Sequence, residues 1–488
     1  MNLRVITRIA AGVVFSIGLA LLVPLAISLL YADGSWTSFL PQAAVMIFFG
    51  GLGFWATRPA SRRVLAYTSP RDVLLSVTLA WVLCALLGGV PYLVEGTFSN
   101  PIDSTFEAMS GFTTTGATVL PEIEAETPSI LFWRGLTQWL GGIGIVVVFV
   151  AVAPVLGFGA ARLLSAEVSG IGQTRLTPRI ADTAKALLVI YLSLSVAETV
   201  ALLLAGMNLY DAVYHTFTTV ATGGFNPRND SVAYYDSVPI EIVLIVFMVL
   251  SAVSFALYYL LYVQRSLKVL LDRELLAYLG IIVGAILFVW GVLIFEGSYG
   301  DSWVRAFRDA AFAVTSIITT TGYVTADFDE WEAGAKFTLV LLMFVGGCAG
   351  STAGGIKVIR ILIVFRTIAS DLLKSIHPQA VTPTNIGARR ISEKVRVAVL
   401  GLFAAWILTF VVATFLVAIQ PDLQLISAAT AVAATLNVIG PGLAQVGASE
   451  SFEAVDYFGR TVLILCMLLG RLEIITALAL FSPAFWRR

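Results

Sequence analysis

Threonine and glycine gather at four places in a chain that is otherwise strongly apolar. The stretches are "STFEAMSGFTTTGATVL" (104–120), "DAVYHTFTTVATGGFNP" (211–227), "RDAAFAVTSIITTTGYV" (308–324) and "SAATAVAATLNVIGPGL" (427–443). Each begins as a short helix-compatible run and ends in a Thr/Gly or Asn/Gly strip. Non-helical backbone in apolar surroundings is tolerated only where it is buried in protein or lines a watery path. A ring of its carbonyl oxygens can replace the water shell of a small cation. One glycine anchors each strip: Gly116, Gly223, Gly322 and Gly440, preceded by Thr115, Thr222, Thr321 and Ile439. Glycine reaches positive φ at little steric cost, and threonine hydroxyls can bond neighbouring backbone. Ten positions before each anchor stand Phe106, Val213, Phe312 and Thr430, so the fourth copy departs from an otherwise apolar position. Packing of small residues between membrane helices would account for any one strip; its recurrence at one place in four units favours a shared axis.

A second group of residues lies in "GGCAGSTAGGIKVIR" (346–360). Gly346, Gly347, Gly350, Gly354 and Gly355, with Ser351 and Thr352 between them, should unwind a helix. The stretch is not a phosphate-binding P-loop, because Ile356 separates Gly355 from Lys357 where that motif requires Gly-Lys. The reading it supports is a mobile loop within a span, just below the strips. Arg471 sits inside the last apolar run, in "LLGRLEII". An arginine there costs at least about 2.5–3.5 kcal/mol and must face protein. It is expected to bond carbonyls of the 346–355 loop and obstruct cations when that loop is closed. The alternative is a structural pair with Glu473 or another acid; the i,i+2 spacing disfavours Glu473 itself. Glu198 is expected to accept structural hydrogen bonds or to carry protons, and His215 to be a packed, bonded residue. Arg134, Arg305 and Arg308 are expected in interfacial ion pairs, and Trp133, Trp139 and Trp303 in an aromatic belt. No nucleophile–base pair or metal-ligand motif lies in the apolar runs, so the chain is not expected to be an enzyme.

The elements that would position these residues follow from composition. The 488 residues are 58% hydrophobic and 12% charged, about half the charge of a soluble chain. The net charge of −1 gives no sign of a nucleic-acid partner, and three cysteines in apolar runs give no disulfide framework. Ten windows are long enough to span a bilayer: 5–31, 39–57, 73–94, 131–155, 184–206, 239–263, 274–296, 336–365, 394–419 and 459–482. One side of them receives 23 of the 30 basic residues, which places both termini in the cytoplasm. The opposite loops are acidic and would concentrate cations at a mouth. The last eight windows pair around the four strips, giving helix, re-entrant half-helix with loop, helix, four times in parallel. The expected fold is an all-α polytopic membrane protein with a pseudo-fourfold central pore and two extra N-terminal helices. Its units are 1–70 (the N-terminal pair), 71–165, 180–268, 272–370 with the loop 346–355, and 390–488. Parallel repeats argue against an inverted-repeat symporter.

These strips and repeats make the chain resemble potassium-translocating subunits of the Trk/Ktr/HKT superfamily. The two extra N-terminal spans are similar to the TrkH/TrkG type rather than to KtrB. The resemblance implies potassium-lining carbonyls at Thr114 and Thr115, Ala221 and Thr222, Thr320 and Thr321, and Asn437, Val438 and Ile439, beside Gly116, Gly223, Gly322 and Gly440. Glycine in all four strips resembles the potassium-selective members; serine in the first goes with sodium. A sodium- or ammonium-conducting relative is the alternative. The resemblance also implies a gating loop in the third repeat, a homodimer, and a cytosolic nucleotide-binding TrkA-like regulatory subunit. It implies a bacterial inner membrane, lipid contact, no covalently bound cofactor, and potassium, held at the filter only, as the transported ion.

Overall fold

The structure is a computed structural model and describes residues 1–58, 69–152, 180–297, 299–379, 385–386 and 389–486. The expected boundary at 165 lies outside these residues, as do Arg62, Arg63, Arg162, Arg175, Arg179, Arg487 and Arg488. The architecture is helical, built as four helix–pore-loop–helix units around an axis with an N-terminal helix pair outside them. Among the described residues the one pair of strands is a two-residue hairpin, Asn385–Ile386 against Arg389–Arg390.

Six helices are continuous and apolar enough to span a bilayer: Leu3–Tyr31, Trp36–Ala56, Arg71–Glu95, Ala184–Leu204, Arg273–Phe295 and Glu393–Val417. The sixth window is broken between Val238–Ser251 and Phe255–Gln264, which are bent by 85°. The helix Pro128–Val152 fills the fourth window. The eighth divides into Ala333–Met343 and Val358–Ile376. The tenth breaks after Arg471 and resumes at Ile474, with Glu473 at φ 58°. Three of the four second spans are therefore interrupted, where the sequence suggested one.

The half-helices are Pro101–Phe112, Leu209–Val220, Trp303–Ile318 and Leu425–Leu436. Three have twelve residues and the third sixteen; at 1.5 Å per residue they reach about 18–24 Å, part of the way through a hydrocarbon core of about 30 Å. The Asn100 and Asn208 side chains cap two of them, accepting from Ile102 N–H at 2.8 Å and Asp211 N–H at 2.9 Å. Their packing is cyclic. Each half-helix touches both spans of its own unit and the second span of the unit before it. Thus 209–220 meets 128–152, 303–318 meets 238–251, 425–436 meets 333–343, and 101–112 meets 457–471. The last contact closes the circle. Glycine permits the tightest approaches: a Cβ on Gly141 would strike the Phe112 carbonyl, and one on Gly470 the Leu436 carbonyl.

Candidate functional site

The four half-helices end alike. The N–H groups of Thr115, Gly223, Thr321 and Ile439 bond the carbonyls of Ser110, Thr218, Ser316 and Ala434 at 2.8, 2.7, 2.9 and 2.8 Å. The preceding N–H of Thr114, Thr222, Thr320 and Val438 bonds Gly111, Thr219, Ile317 and Thr435. This pair of bonds is the Schellman ending, whose turn residue is ordinarily glycine. Here it is β-branched every time, with φ of 58°, 55°, 58° and 61°. Such a conformation costs about 1–2 kcal/mol per residue. Strain repeated at four equivalent positions points to a functional constraint.

Two residues further on, Gly116, Gly224, Gly322 and Gly440 have φ of 84°, 78°, 80° and 110°. A Cβ on Gly116 would strike the Gly223 carbonyl, one on Gly224 the Thr321 carbonyl, and one on Gly322 the Ile439 carbonyl. One on Gly440 would meet the Thr115 carbonyl at 3.0 Å. Each strip thus leans on the carbonyl of the next, and the fourth returns to the first. An outer mouth of about 120 Å³ is lined by these same four glycines.

The second strip corrects the sequence reading by one residue. Gly224, not Gly223, is equivalent to Gly116, Gly322 and Gly440. The matched pair is Thr222 and Gly223; Ala221 is the helix cap, in the place of Thr113, Thr319 and Asn437. The doublet Gly223–Gly224 hid this, because a threonine precedes its first member. In the corrected register the residue ten back is Tyr214, which aligns with Phe106 and Phe312; that aromatic recurrence was the available signal. Asn437 likewise stands at the cap, its amide donating to Ala433 O at 2.8 Å.

Beneath the strips the segment 344–357 leaves the helix. Gly350 and Gly355 take φ of 75° and 66°. Gly346 N–H bonds Ile356 O at 2.9 Å, closing the segment on itself. Its tip lies against the strips: Gly354 N–H donates to Thr320 Oγ1 at 2.7 Å, and a Cβ on Gly354 would strike the Asn437 carbonyl. Thr352 Oγ1 donates to Val220 O at 3.1 Å and Ser251 O at 3.2 Å. Cys348 N–H reaches Ala252 O at 2.9 Å, at the bend of the sixth span. The Glu274 carboxylate accepts from Ala349 N–H at 2.7 Å and Ile359 N–H at 3.3 Å. Arg471 Nη1 donates to Thr352 O at 2.9 Å, and Nη2 approaches Gly141 O at 3.4 Å. The alternative pairing with Glu473 is not formed: Glu473 bonds Arg360 at 2.9 Å. Gly346, Gly347, Gly350, Ser351, Thr352, Gly354, Gly355 and Arg471 thus form one contiguous assembly under the strips.

Several other expectations change. Arg134 is not interfacial: it is fully buried, pairs with Glu107 at 2.8 Å, and reaches Thr118 Oγ1 at 3.2 Å and Asn226 O at 3.3 Å. It therefore ties together the outward exits of strips one and two. Trp133 is also buried, donating to Gly88 O at 3.0 Å, and Trp139 donates to Ser195; Trp303 remains exposed. Arg308 pairs with Glu241 at 2.6 Å and Arg305 lies 3.9 Å from Asp309. His215 is packed between the Tyr323 and Tyr235 hydroxyls at 3.3 and 3.2 Å. Glu198 is buried and faces Thr219, but its oxygens make no complete hydrogen bond among the described residues. Asp329 holds the fourth strip's exit by accepting from Ala444 N–H at 3.0 Å; burial pushes its carboxyl above the usual range. Glu274, Gln138, Glu107 and the Arg360–Glu473 pair carried no sequence signal, because each acts on backbone or charge distant in the chain.

Residues 39–488 match the family described as "TrkH: Cation transport protein". The chain is 38% identical over 491 residues to the Trk system potassium uptake protein TrkH of Halomonas elongata, covering all of both chains. It is 37% identical to TrkH of Escherichia coli K12, again over both full lengths. To the Trk system potassium uptake protein TrkG of the same organism it is 32% identical, covering 100% of this chain and 99% of that one. The crystal structure of the potassium transporter TrkH from Vibrio parahaemolyticus superposes with a TM-score of 0.90 at 38% identity, covering 100% of each chain.

Proposed function

On the premise that this chain belongs to the TrkH cation-transport family, we propose that it is a potassium uptake subunit of a Trk system. Potassium loses its water between the four strips and is held by their carbonyls. The observation that carries this reading is the closed ring in which each of four left-handed glycines abuts a carbonyl of the next strip. The filter is Thr114–Gly116, Thr222–Gly224, Thr320–Gly322 and Val438–Gly440. Each half-helix directs its carboxyl end at the ring, where the partial negative charge of the helix favours a cation.

The 346–355 segment is the gate. In this arrangement it sits under the ring, held by Arg471, Glu274 and Thr320, and closes the path. Arg471 adds a buried positive charge beside it. Opening requires the segment to leave these partners. A potential of 100 mV is worth about 2.3 kcal/mol per charge, enough for a gradient of roughly 50-fold. A gated pore can therefore fill a cell without energy coupling of its own. The chain works in a bacterial inner membrane with both termini cytoplasmic, a topology supported by its basic loops. A cytosolic nucleotide-binding, TrkA-like subunit and a second copy of the chain complete the system; the relatives' name as members of a Trk system supports the presence of partner subunits.

The test is rubidium and potassium uptake in a strain lacking its own potassium systems, with Gly116→Ser as the comparison. Potassium preference that weakens in Gly116→Ser supports the reading. Sodium or ammonium carried as well as potassium before the substitution overturns it.

A further inference from the structure

The four strips are braced differently from behind. In strips one and three, paired threonine hydroxyls do this: Thr113 with Thr115 at 2.7 Å, and Thr319 with Thr321 at 2.8 Å. Strip two has Ala221 and Gly223 at those positions and so has neither hydroxyl. It also has two adjacent glycines, the most freely rotating dipeptide in any of the strips. A peptide flip there would turn the Gly223 carbonyl out of the ring.

The space is filled from another unit. Gln138, on the helix Pro128–Val152, is fully buried. Its Nε2 donates to Gly223 O at 2.7 Å and its Oε1 accepts from Phe225 N–H at 3.1 Å. The two bonds span Gly223–Gly224 like a clamp and fix the amide's orientation, since reversing it would set N–H against N–H. A Cβ on Gly223 would strike Gln138 Cδ, so the absent side chain and the glutamine occupy the same volume. Among the described residues no other ring carbonyl, at Thr115, Thr321 or Ile439, receives a side-chain donor.

We propose that Gln138 is a selectivity-determining positioning residue: its amide replaces the missing threonine pair and holds the Gly223 carbonyl in the ring. It does not touch the ion. The inference rests on the potassium-filter reading and deepens it. Without the clamp the second strip relaxes, and a ring with one loose carbonyl coordinates sodium and potassium more equally.

The experiment measures potassium and sodium flux into proteoliposomes for the native chain, Gln138→Met and Gly223→Ala. Gln138→Met keeps the volume and removes both bonds. Gly223→Ala, at a residue with ordinary φ, displaces the amide from the other side. Both are expected to lower the potassium-to-sodium ratio by about tenfold, or about 1.4 kcal/mol, and in Gln138→Met, which leaves the ring's own residues untouched, total cation flux persists. The triple variant Gln138→Ala, Ala221→Thr, Gly223→Thr restores the threonine pattern and should recover part of the ratio. If Gln138→Met does not reconstitute, Gly223→Ala carries the same expectation. A native chain that selects potassium, with a ratio unchanged in the variants, overturns the role of Gln138. A native chain without preference overturns the filter reading instead.

Discussion

The proposed contact between filter and gate can be tested by exchanging one hydroxyl for a methyl. Thr320 Oγ1 is the side-chain acceptor that strip three offers the gating segment, taking the Gly354 N–H at 2.7 Å. Thr320→Val is nearly isosteric, and the ring already accommodates valine: Val438 holds the equivalent position in strip four at φ 61°. The substitution leaves a buried N–H without a partner, a cost of about 1–3 kcal/mol to the closed arrangement. That is roughly 5- to 150-fold in the closed-to-open ratio. Thr114→Val is the control. It changes the equivalent hydroxyl of strip one, which has no hydrogen-bond partner among the described residues. Any effect on the ion itself is then shared, and the effect on the gate belongs to Thr320 alone. Rubidium influx into proteoliposomes holding the chain without a regulatory subunit should rise at least about fivefold in Thr320→Val relative to Thr114→Val. Equal influx in the two variants refutes the idea that the segment closes the pore by docking on the filter.

Arg471→Ala removes a charge-assisted bond to Thr352 O, about 1.5–3 kcal/mol, so basal influx should rise by at least about tenfold; influx that stays level or falls rejects Arg471 as a latch. Gly224→Ala forces a Cβ against the Thr321 carbonyl at φ 78° and should abolish selective uptake in a potassium-requiring strain, whereas Gly223→Ala should keep flux and lose preference. The opposite order would restore the uncorrected register. Glu107→Leu strands Arg134 in the interior at a cost of about 3–5 kcal/mol and should lower the thermal midpoint sharply. Glu107→Leu with Arg134→Met should recover most of it, read by thermal unfolding in detergent.

The repeats, the re-entrant segments and the glycine-rich break were legible because each is a local departure from an apolar background. Four strips of polar and small residues have few explanations when every neighbour is suited to a bilayer. What could not be read is what depends on contacts across the ring. The choice between Gly223 and Gly224 is one residue in sequence; the recurrence of Tyr214 with Phe106 and Phe312 hints at it, and the bond from Gly223 N–H to Thr218 O and the approach to Thr321 decide it. The breaks at Ala252 and Glu473 carry no proline or glycine cluster. They exist because Cys348 N–H takes the Ala252 carbonyl and Arg360 takes the Glu473 carboxylate. Arg134 and Trp133 read as interfacial because they follow an acidic loop; Glu107 and Gly88 draw them inside.

The proposed filter and the proposed gate obey different symmetry for a physical reason. An ion meeting four carbonyls at one level requires the same backbone from each strip. The backbone recurs through Thr, Thr, Thr and Val at one position, although the side chains behind it change from paired threonines to a borrowed glutamine. The gate proposed above lies on the axis, where there is room for one plug, so a single unit supplies it. The 346–355 segment comes from the third repeat, and the other second spans reshape around it. The second is bent 85° where it meets Cys348 and Gly350. The first exposes the Gly141 carbonyl to Arg471. The fourth breaks after Arg471, which lets Glu473 turn back to Arg360 at the segment's exit. The segment is thereby tied directly to the second and fourth units and, through Arg471, to the first; if it is the gate proposed above, its release is one cooperative event. Disrupting Arg471 and Thr320 together should accordingly increase influx by less than the product of the separate increases, because either loss alone frees much of the same plug. Strictly multiplicative effects would mean that the two residues hold separate barriers.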